Sequence, residues 1–414
     1  MEVRETDGGR GTVGAVGADM TGGTTRIVRR TPAGRVAEEE SRTGLADPLA
    51  RGGTSSVAVA APGTWFDGGR RGAREHETLL RALRGLPGVS VVAVDRLLCL
   101  AVAAAWRDGR ATSGRYLVCD VHADATGLAV CEVSETGVRP LESAADLPFG
   151  ADAFERALAA ATGVPASAQA AMRERGASRA ETVLGRAWGG TRFEDATVYT
   201  DHGGQVTVAQ LRTAFAPFAA HLLRETAALA RAVPGLRLPA EQVVTAGTLG
   251  AFPLVRQAVT DALGPAGPGH EGRTQVLEPG AAALGALLIA EGRIGCVDDR
   301  IARVGLLAHR LTADGLREIA VPLAGPDLRP AAPFAEVEGS SLVVEATPYG
   351  TGRPLLVVTD PAGGSRRLTP PEVRPGAGPY HVAFLPAWHG RGTLVLAPAG
   401  GGPSHMYPVS TGGT

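Results

Sequence analysis

The sequence predicts an α/β fold built as two related halves, followed by an all-β region. Three observations predict it. Strands and helices alternate from about residue 12 to 292, an aspartate-led hairpin pattern occurs twice, and past residue 300 only short strands punctuated by Pro and Gly remain.

The repeated pattern is DMTGGTTRI from Asp19 and DVHADATGL from Asp120. Each aspartate ends an apolar strand, with a threonine six residues later (Thr25, Thr126) and an aliphatic residue eight later. The following runs, RIV and LAVCEV, read as the returning strands of hairpins.

The flanking segments extend both halves. SSVAVAAPGTW is a strand ending at Pro62, REHETLLRALRGLPG an amphipathic helix with Leu79, Leu80 and Leu83 inward, VSVVAVD a strand and DRLLCLAVAAAW a helix. In the second half Thr207 and Gln210 form a capping-box pattern ahead of a helix carrying Val208, Leu211, Phe215, Phe218 and Leu222 on one face, with Pro217 expected to kink it. EQVVTAGTLG then reads as strand and turn, Pro253 lies near the start of a helix ending by Gly264, and EPGAAALGALLIAEG is a small-residue helix. Past Ile301 the strands are RVGLLAHR, REIAVPL, SLVVEATP, PLLVVTD, YHVAFLP and GTLVLAPA, at the spacing of a sandwich or barrel. The expected organisation is therefore a first lobe over 12–110, a second over 111–295, and a β-rich domain over 300–414, joined near Gly292–Arg300 where the acidic CVDDR segment begins.

Composition narrows the function. Net charge is -1 and no basic run exceeds pairs such as Arg29–Arg30, so neither nucleic acid nor a membrane surface is an expected partner. The longest apolar runs, Leu97–Trp106 and Ala281–Ala290, fall short of the roughly 20 residues that span a bilayer. No apolar segment follows a positive start at the N-terminus, so a cytoplasmic location is expected. Cys99, Cys119, Cys131 and Cys296 form no C-x-x-C pair and read as reduced core thiols. All 41 basic residues are arginine. A Walker lysine, a Schiff-base lysine and a lysine poised on a transferring phosphate are thereby excluded, and no G-x-S-x-G elbow suggests esterase chemistry.

Taken in order, these segments resemble the nucleotide-binding domain of the seventy-kilodalton heat-shock chaperone (DnaK) family, within the actin-like ATPase superfamily. VGADMTGGTT resembles the first phosphate hairpin, VAVAAPGTW the strand before the first crossover helix, and VVAVDRLLCLAVAAA the strand and helix linking the lobes. YLVCDVHADATGLAVCEV resembles the second phosphate hairpin, FGADAFERAL the helix start after it, VVTAGTLGAFPLVRQAV the adenosine turn, and EPGAAALGALL the closing helix. The resemblance implies an actin-like ATPase fold with ATP and Mg²⁺ as cofactors. It places the carboxylates around the metal on Asp19, Asp95 and Asp120, the latter two also as catalytic candidates. Nucleotide contacts fall on Asp19, Gly22, Gly23, Thr24, Thr25, Thr126, Gly247 and Gly250. Aspartates capping turns at strand ends remain an alternative, and His122, between Asp120 and Asp124, is either a metal ligand with them or a solvated turn residue.

The chain departs from the family in several places. Asp95 stands where the family has glutamate. Ala123 and Asp124 replace the glycines whose positive φ lets amide groups approach phosphate oxygens, and Asp124 adds a repelling charge. The phosphate-facing lysine has no counterpart, and 28–56 is too short for the small lobe that carries it. Arg26 is the nearest substitute. The adenine-clamping basic pair falls on Glu181 and Thr182. The β-rich region resembles the client-binding domain by position alone, with no helical lid expected after it. The resulting expectation is a divergent, chaperone-like module that binds a protein or client peptide, with weak or vestigial ATP binding and negligible hydrolysis. An active ATP-dependent chaperone is the alternative, and a sugar kinase of the same superfamily a third.

Overall fold

The first hairpin forms where its sequence pattern places it: strand Ala15–Asp19 pairs antiparallel with Thr25–Arg30, setting Asp19 opposite Arg26. The computed structural model describes residues 14–21, 24–42, 44–51, 53–83, 89–187, 193–201, 204–236, 238, 242–263, 274–313, 315–329, 334–337, 340–346, 354–359, 363–370 and 376–410. The chain is a mixed α/β protein that divides into two compact units, 1–99 with 136–139 and 282–414, and 100–135 with 140–281. The cut therefore falls inside helix Arg96–Ala105 rather than at 110, and residues 300–414, expected as a separate domain, group with the first sheet.

In the first unit a five-stranded sheet runs Val36–Ser41, Thr25–Arg30, Ala15–Asp19, Ser56–Ala61, Ser90–Asp95. The last two strands lie parallel to Ala15–Asp19, and the central strands are buried almost throughout, as apolar strands covered on both faces must be. Helix Ala281–Ala290, buried nearly all round, belongs to this unit, where Ser56 Oγ donates to the Ala290 carbonyl (3.1 Å) and Arg30 pairs with Glu291 (2.6 Å). Between residues 31 and 55 the described chain forms only the edge strand Val36–Ser41 and the short helix Ala46–Arg51.

All six strands expected past residue 300 form, as Arg303–Thr312, Gly315–Ala324, Val343–Ala346, Leu355–Thr359, Gly378–Ala387 and Arg391–Pro398, joined by Ser365–Leu368 and His405–Ser410. They make two four-stranded antiparallel sheets. Leu306, Val321 and Leu356 from one sheet share a buried cluster with Val382, Phe384 and Leu394 from the other. The alternate residues Ala383, Leu385 and Val395 face the opposite way and pack with Leu80 of helix Arg70–Leu83. Both faces of that sheet are thus covered, which explains why strand Gly378–Ala387 reads as a continuous apolar run.

The second unit repeats the strand order of the first. Gln275–Val276, Val243–Gly247, Gly114–Val121, Thr126–Val133 and Gly137–Leu147 lie side by side. This sheet has seven strands, Gly295–Val297 and Asp327–Leu328 continuing it beyond Gly137–Leu147. Counted in chain order within each half, and leaving aside these two and the small hairpins Trp106–Arg107 with Arg110–Ala111 and Thr197–Asp201 with Gly204–Thr207, both sheets contain the order 3-2-1-4-5. Helix Val208–Ala232 opens with the expected capping box, Thr207 and Gln210 satisfying each other's backbone amides, and Pro217 lies inside it. Phe154, Phe215, Phe218 and Phe252 pack edge-on and tilted at centroid distances of 5.0–5.8 Å to form the centre of this core. Among the described residues no helix is long and apolar enough to cross a membrane.

Candidate functional site

Asp19 and Asp95 end parallel strands that flank Ser56–Ala61, in register with Ala60 and Ala61 at the same edge of the first sheet. Two strand spacings put their backbones about 10 Å apart. Both side chains are buried, at 3% and 2% exposure, and each is bound to an arginine.

Asp19 accepts from the Thr21 amide (3.2 Å) and the Thr21 hydroxyl (2.7 Å), the turn-capping pattern of a strand-end aspartate. Arg96, the first residue of helix Arg96–Ala105, adds a fork: its Nε lies 3.2 Å from both carboxylate oxygens and its terminal nitrogen 3.1 Å from Oδ2. A carboxylate offers about four lone-pair directions, and these donors take most of them. Asp95 accepts from the Leu97 amide (3.0 Å) and from Arg300 (3.0 Å). Arg300 also grips Asp298, Nε to Oδ1 at 2.8 Å and a terminal nitrogen to Oδ2 at 2.6 Å, with its guanidinium 4.1 Å from the centroid of the Trp388 ring. Burial pushes the Asp95 carboxyl above its usual range; Arg300 opposes this only in part, and Asp298 reinforces it. Asp298 and Arg300 thus hold Asp95 in a node with more carboxylate than guanidinium.

The remaining phosphate-side candidates of this unit divide by position. Gly22 and Gly23 lie outside the described residues. Thr24 sits half-buried in the loop, and Thr25 is buried and pairs across to Ser41. Arg26, the nearest candidate to stand in for the missing lysine, pairs with Glu38 (2.9 Å) and Glu40 (2.7 Å) on the neighbouring edge strand.

In the second unit Asp120 is the penultimate residue of strand Gly114–Val121, and His122 Nε2 lies 2.6 Å from its Oδ2. The His122 amide donates to the Ala125 carbonyl (2.8 Å), closing a tight turn over Ala123 and Asp124. Among the described residues outside glycine only Asp108 and His389 have positive φ, so this turn does not form the concave array of amides that a left-handed residue creates. Its carbonyls are instead used: His122 and Ala123 accept from the Ala151 and Asp152 amides (2.7 and 2.8 Å) at the start of helix Ala151–Thr162. Gly150 makes that approach possible, since a Cβ there would lie 2.5–2.6 Å from the same two carbonyl oxygens. The turn therefore offers acceptors where a phosphate needs donors.

Thr126 donates its hydroxyl to the Phe149 carbonyl (2.5 Å). Gly247, at φ +83°, ends strand Val243–Gly247 beside Asp120, and a Cβ there would come 2.7 Å from Asp120 Oδ1. Gly250 closes the turn back onto the Gly247 carbonyl (3.1 Å) before Pro253 opens the next helix. Glu181, at an expected clamp position, pairs with Arg256 of that helix, and Thr182 donates to the Ser178 carbonyl (3.1 Å). Among the described residues no group of three His, Cys, Asp or Glu side chains is placed to hold a metal ion.

No family model matches the chain, and no curated protein matches it. The sequence reading located the carboxylates but missed their partners. Arg96 carried a signal, standing directly after Asp95 at a helix start. Arg300 lies 205 positions from Asp95 and carried none beyond the acidic pair that precedes it.

Proposed function

We propose that the chain is a divergent relative of the DnaK-type heat-shock chaperones, with an actin-like two-lobed domain and a sandwich-like β region, acting as a protein-interaction or regulatory module that binds ATP weakly and hydrolyses it negligibly. The observation that carries this reading is the state of the expected metal carboxylates: Asp19 is forked by Arg96 and Asp95 is held by Arg300. A two-lobed domain of related halves needs one strand order twice, and 3-2-1-4-5 occurs twice.

Hydrated Mg²⁺ keeps most of its waters and binds carboxylates through them or beside them. Two buried, arginine-bound carboxylates suit that poorly. Phosphoryl transfer depends on positive charge and donors fixed around the γ-phosphate. Lysine is lacking, Arg26 is engaged by glutamates, and the Asp120 turn directs carbonyls to a helix start. Each missing donor typically costs about 3 kcal/mol of transition-state stabilisation, so their joint loss leaves turnover near background. Binding of a protein or extended peptide has outer strands available at the edges of the β region, among them Gly315–Ala324 and Val343–Ala346.

The test is single-turnover hydrolysis of Mg-ATP with protein in excess, alongside a binding isotherm. The expected rate equals that of buffer and is the same in Asp120→Asn. A rate above buffer that vanishes in a folded Asp120→Asn chain would overturn the proposal.

A further inference from the structure

Among the described residues of the first unit, Glu77 is buried at 6% exposure, and four further acidic side chains are exposed by 4% or less: Asp19, Asp95, Asp298 and Glu291. Burying a carboxylate is costly unless a positive charge and hydrogen bonds replace its water. For these four the replacement is a guanidinium from the same unit: Arg96 on Asp19, Arg300 shared by Asp95 and Asp298, and Arg30 with Arg293 on Glu291 at 2.6 and 2.9 Å. The Arg300 site is built around its cation. Trp388 supplies a ring face, the Trp388 amide is fixed by the Phe66 carbonyl (2.7 Å), and the His389 amide donates to the Arg300 carbonyl (3.1 Å). Phe66 in turn stacks on Trp388 at 5.7 Å. Planar stacking on an aromatic face and forked donation to carboxylates are properties of guanidinium that hydrated Mg²⁺ does not share.

We infer that Arg96 and Arg300 are built-in cations that replace a divalent metal ion at Asp19 and Asp95, so that this unit neutralises its buried carboxylates without metal. The inference rests on the degenerate-ATPase reading and extends it, because it assigns the lost cation's electrostatic role to two named residues. It also accounts for the place of the β region in this unit: the strand-end loop that presents Trp388 and the segment that presents Asp298 and Arg300 meet at Asp95.

The experiment uses the full chain and Mg²⁺ alone, without nucleotide. Melting temperature is measured in millimolar Mg²⁺ and in EDTA, for the wild type, Arg300→Met, Arg96→Met and the double variant Arg300→Met/Asp95→Asn. The wild type is expected to melt at the same temperature in both. Arg300→Met exposes two buried carboxylates to each other and should melt about 10 °C lower. Millimolar Mg²⁺ should recover part of that loss, and Asp95→Asn should recover part of it without metal. If Arg300→Met does not fold, isothermal titration of Mg²⁺ into the wild type and into Asp19→Asn decides, with no Asp19-dependent binding expected. Mg²⁺ stabilisation of the wild type by several degrees, or Mg²⁺ binding lost in Asp19→Asn, would overturn the inference. ATP turnover with an unchanged Mg²⁺ response would overturn the functional reading alone.

Discussion

Arg300 lies 3.0 Å from Asp95 across 205 positions of sequence, and it binds Asp298 on the same guanidinium. One arginine thus serves two buried carboxylates, which fixes the sign of several measurable effects.

Asp95 has its carboxyl raised by burial above the ordinary 3.8. A group raised on folding contributes stability that is fully present below its unfolded value and is lost as pH rises through its folded one. Asp95→Asn keeps one acceptor oxygen, for the Leu97 amide that binds Oδ1, puts an NH2 in place of the Oδ2 that accepts from Arg300, and removes the charge. Denaturant melts of both proteins from pH 4 to 8 should therefore show the variant gaining on the wild type as pH rises. A variant that loses ground with rising pH would contradict the assignment.

His76 titrates in the opposite sense. It is buried, its ring stacks on Trp65 at 4.8 Å, and its Nδ1 has no hydrogen-bond partner among the described residues. Burial pushes the imidazole down to about 4 from its usual 6.5. Folding then favours the neutral ring, and stability is lost as pH falls from about 6.5 towards 4, by up to roughly 3 kcal/mol. His76→Phe retains the stacking and should flatten the wild-type decline across that window.

Limited trypsin digestion tests the segment 292–300, which the sequence suggested as a joint. Ile294, Cys296, Asp298 and Ile301 are buried there, and the backbone is tied by Gly295 to Thr136 (2.8 Å) and by Asp298 to Pro326 (2.8 Å). Cleavage needs local opening of the backbone. Arg293 and Arg300 should survive while exposed arginines elsewhere are cut first. Early fragments ending at Arg293 or Arg300 would show that the node around Arg300 opens readily.

Local chemistry made much of the architecture legible. Thr207 and Gln210 marked a helix start, Pro253 another, and alternating apolar runs marked all six expected strands past residue 300, because each depends on neighbours in sequence. The edge strand Val36–Ser41, with three consecutive glutamates, escaped because its acids are matched by Arg26 and Arg29 on the next strand rather than by any pattern of its own. Strand Ser365–Leu368 escaped for a similar reason, being short and largely exposed. The same limit applied to the site. Asp19, Asp95 and Asp120 were visible at strand ends, whereas Asp19 is held by Arg96, Asp95 by Arg300, and the turn after Asp120 by the Ala151 and Asp152 amides. Whether Ala123 and Asp124 form a phosphate nest was a matter of φ angles, for which glycine content was only a proxy. The grouping of residues 300–414 with the first sheet was hidden because Leu80 and the alternate residues of strand Gly378–Ala387 look like ordinary core positions in isolation.

The first unit is assembled from the beginning and the end of the chain, 1–99 and 282–414, with most of the second unit encoded between them. On a ribosome moving at about 5–20 residues per second, the early sheet would wait roughly ten to forty seconds for helix Ala281–Ala290, and roughly fifteen to sixty for the last of the β strands that pack on helix Arg70–Leu83. During that interval its apolar strands and the carboxylates of Asp19 and Asp95 would be present without Arg300, Trp388 or the closing helix. The intervening unit, continuous apart from 136–139, can fold as it emerges. Synthesis thus leaves the nascent first sheet as the part of this protein most exposed to aggregation and most in need of a holding partner while translation is under way.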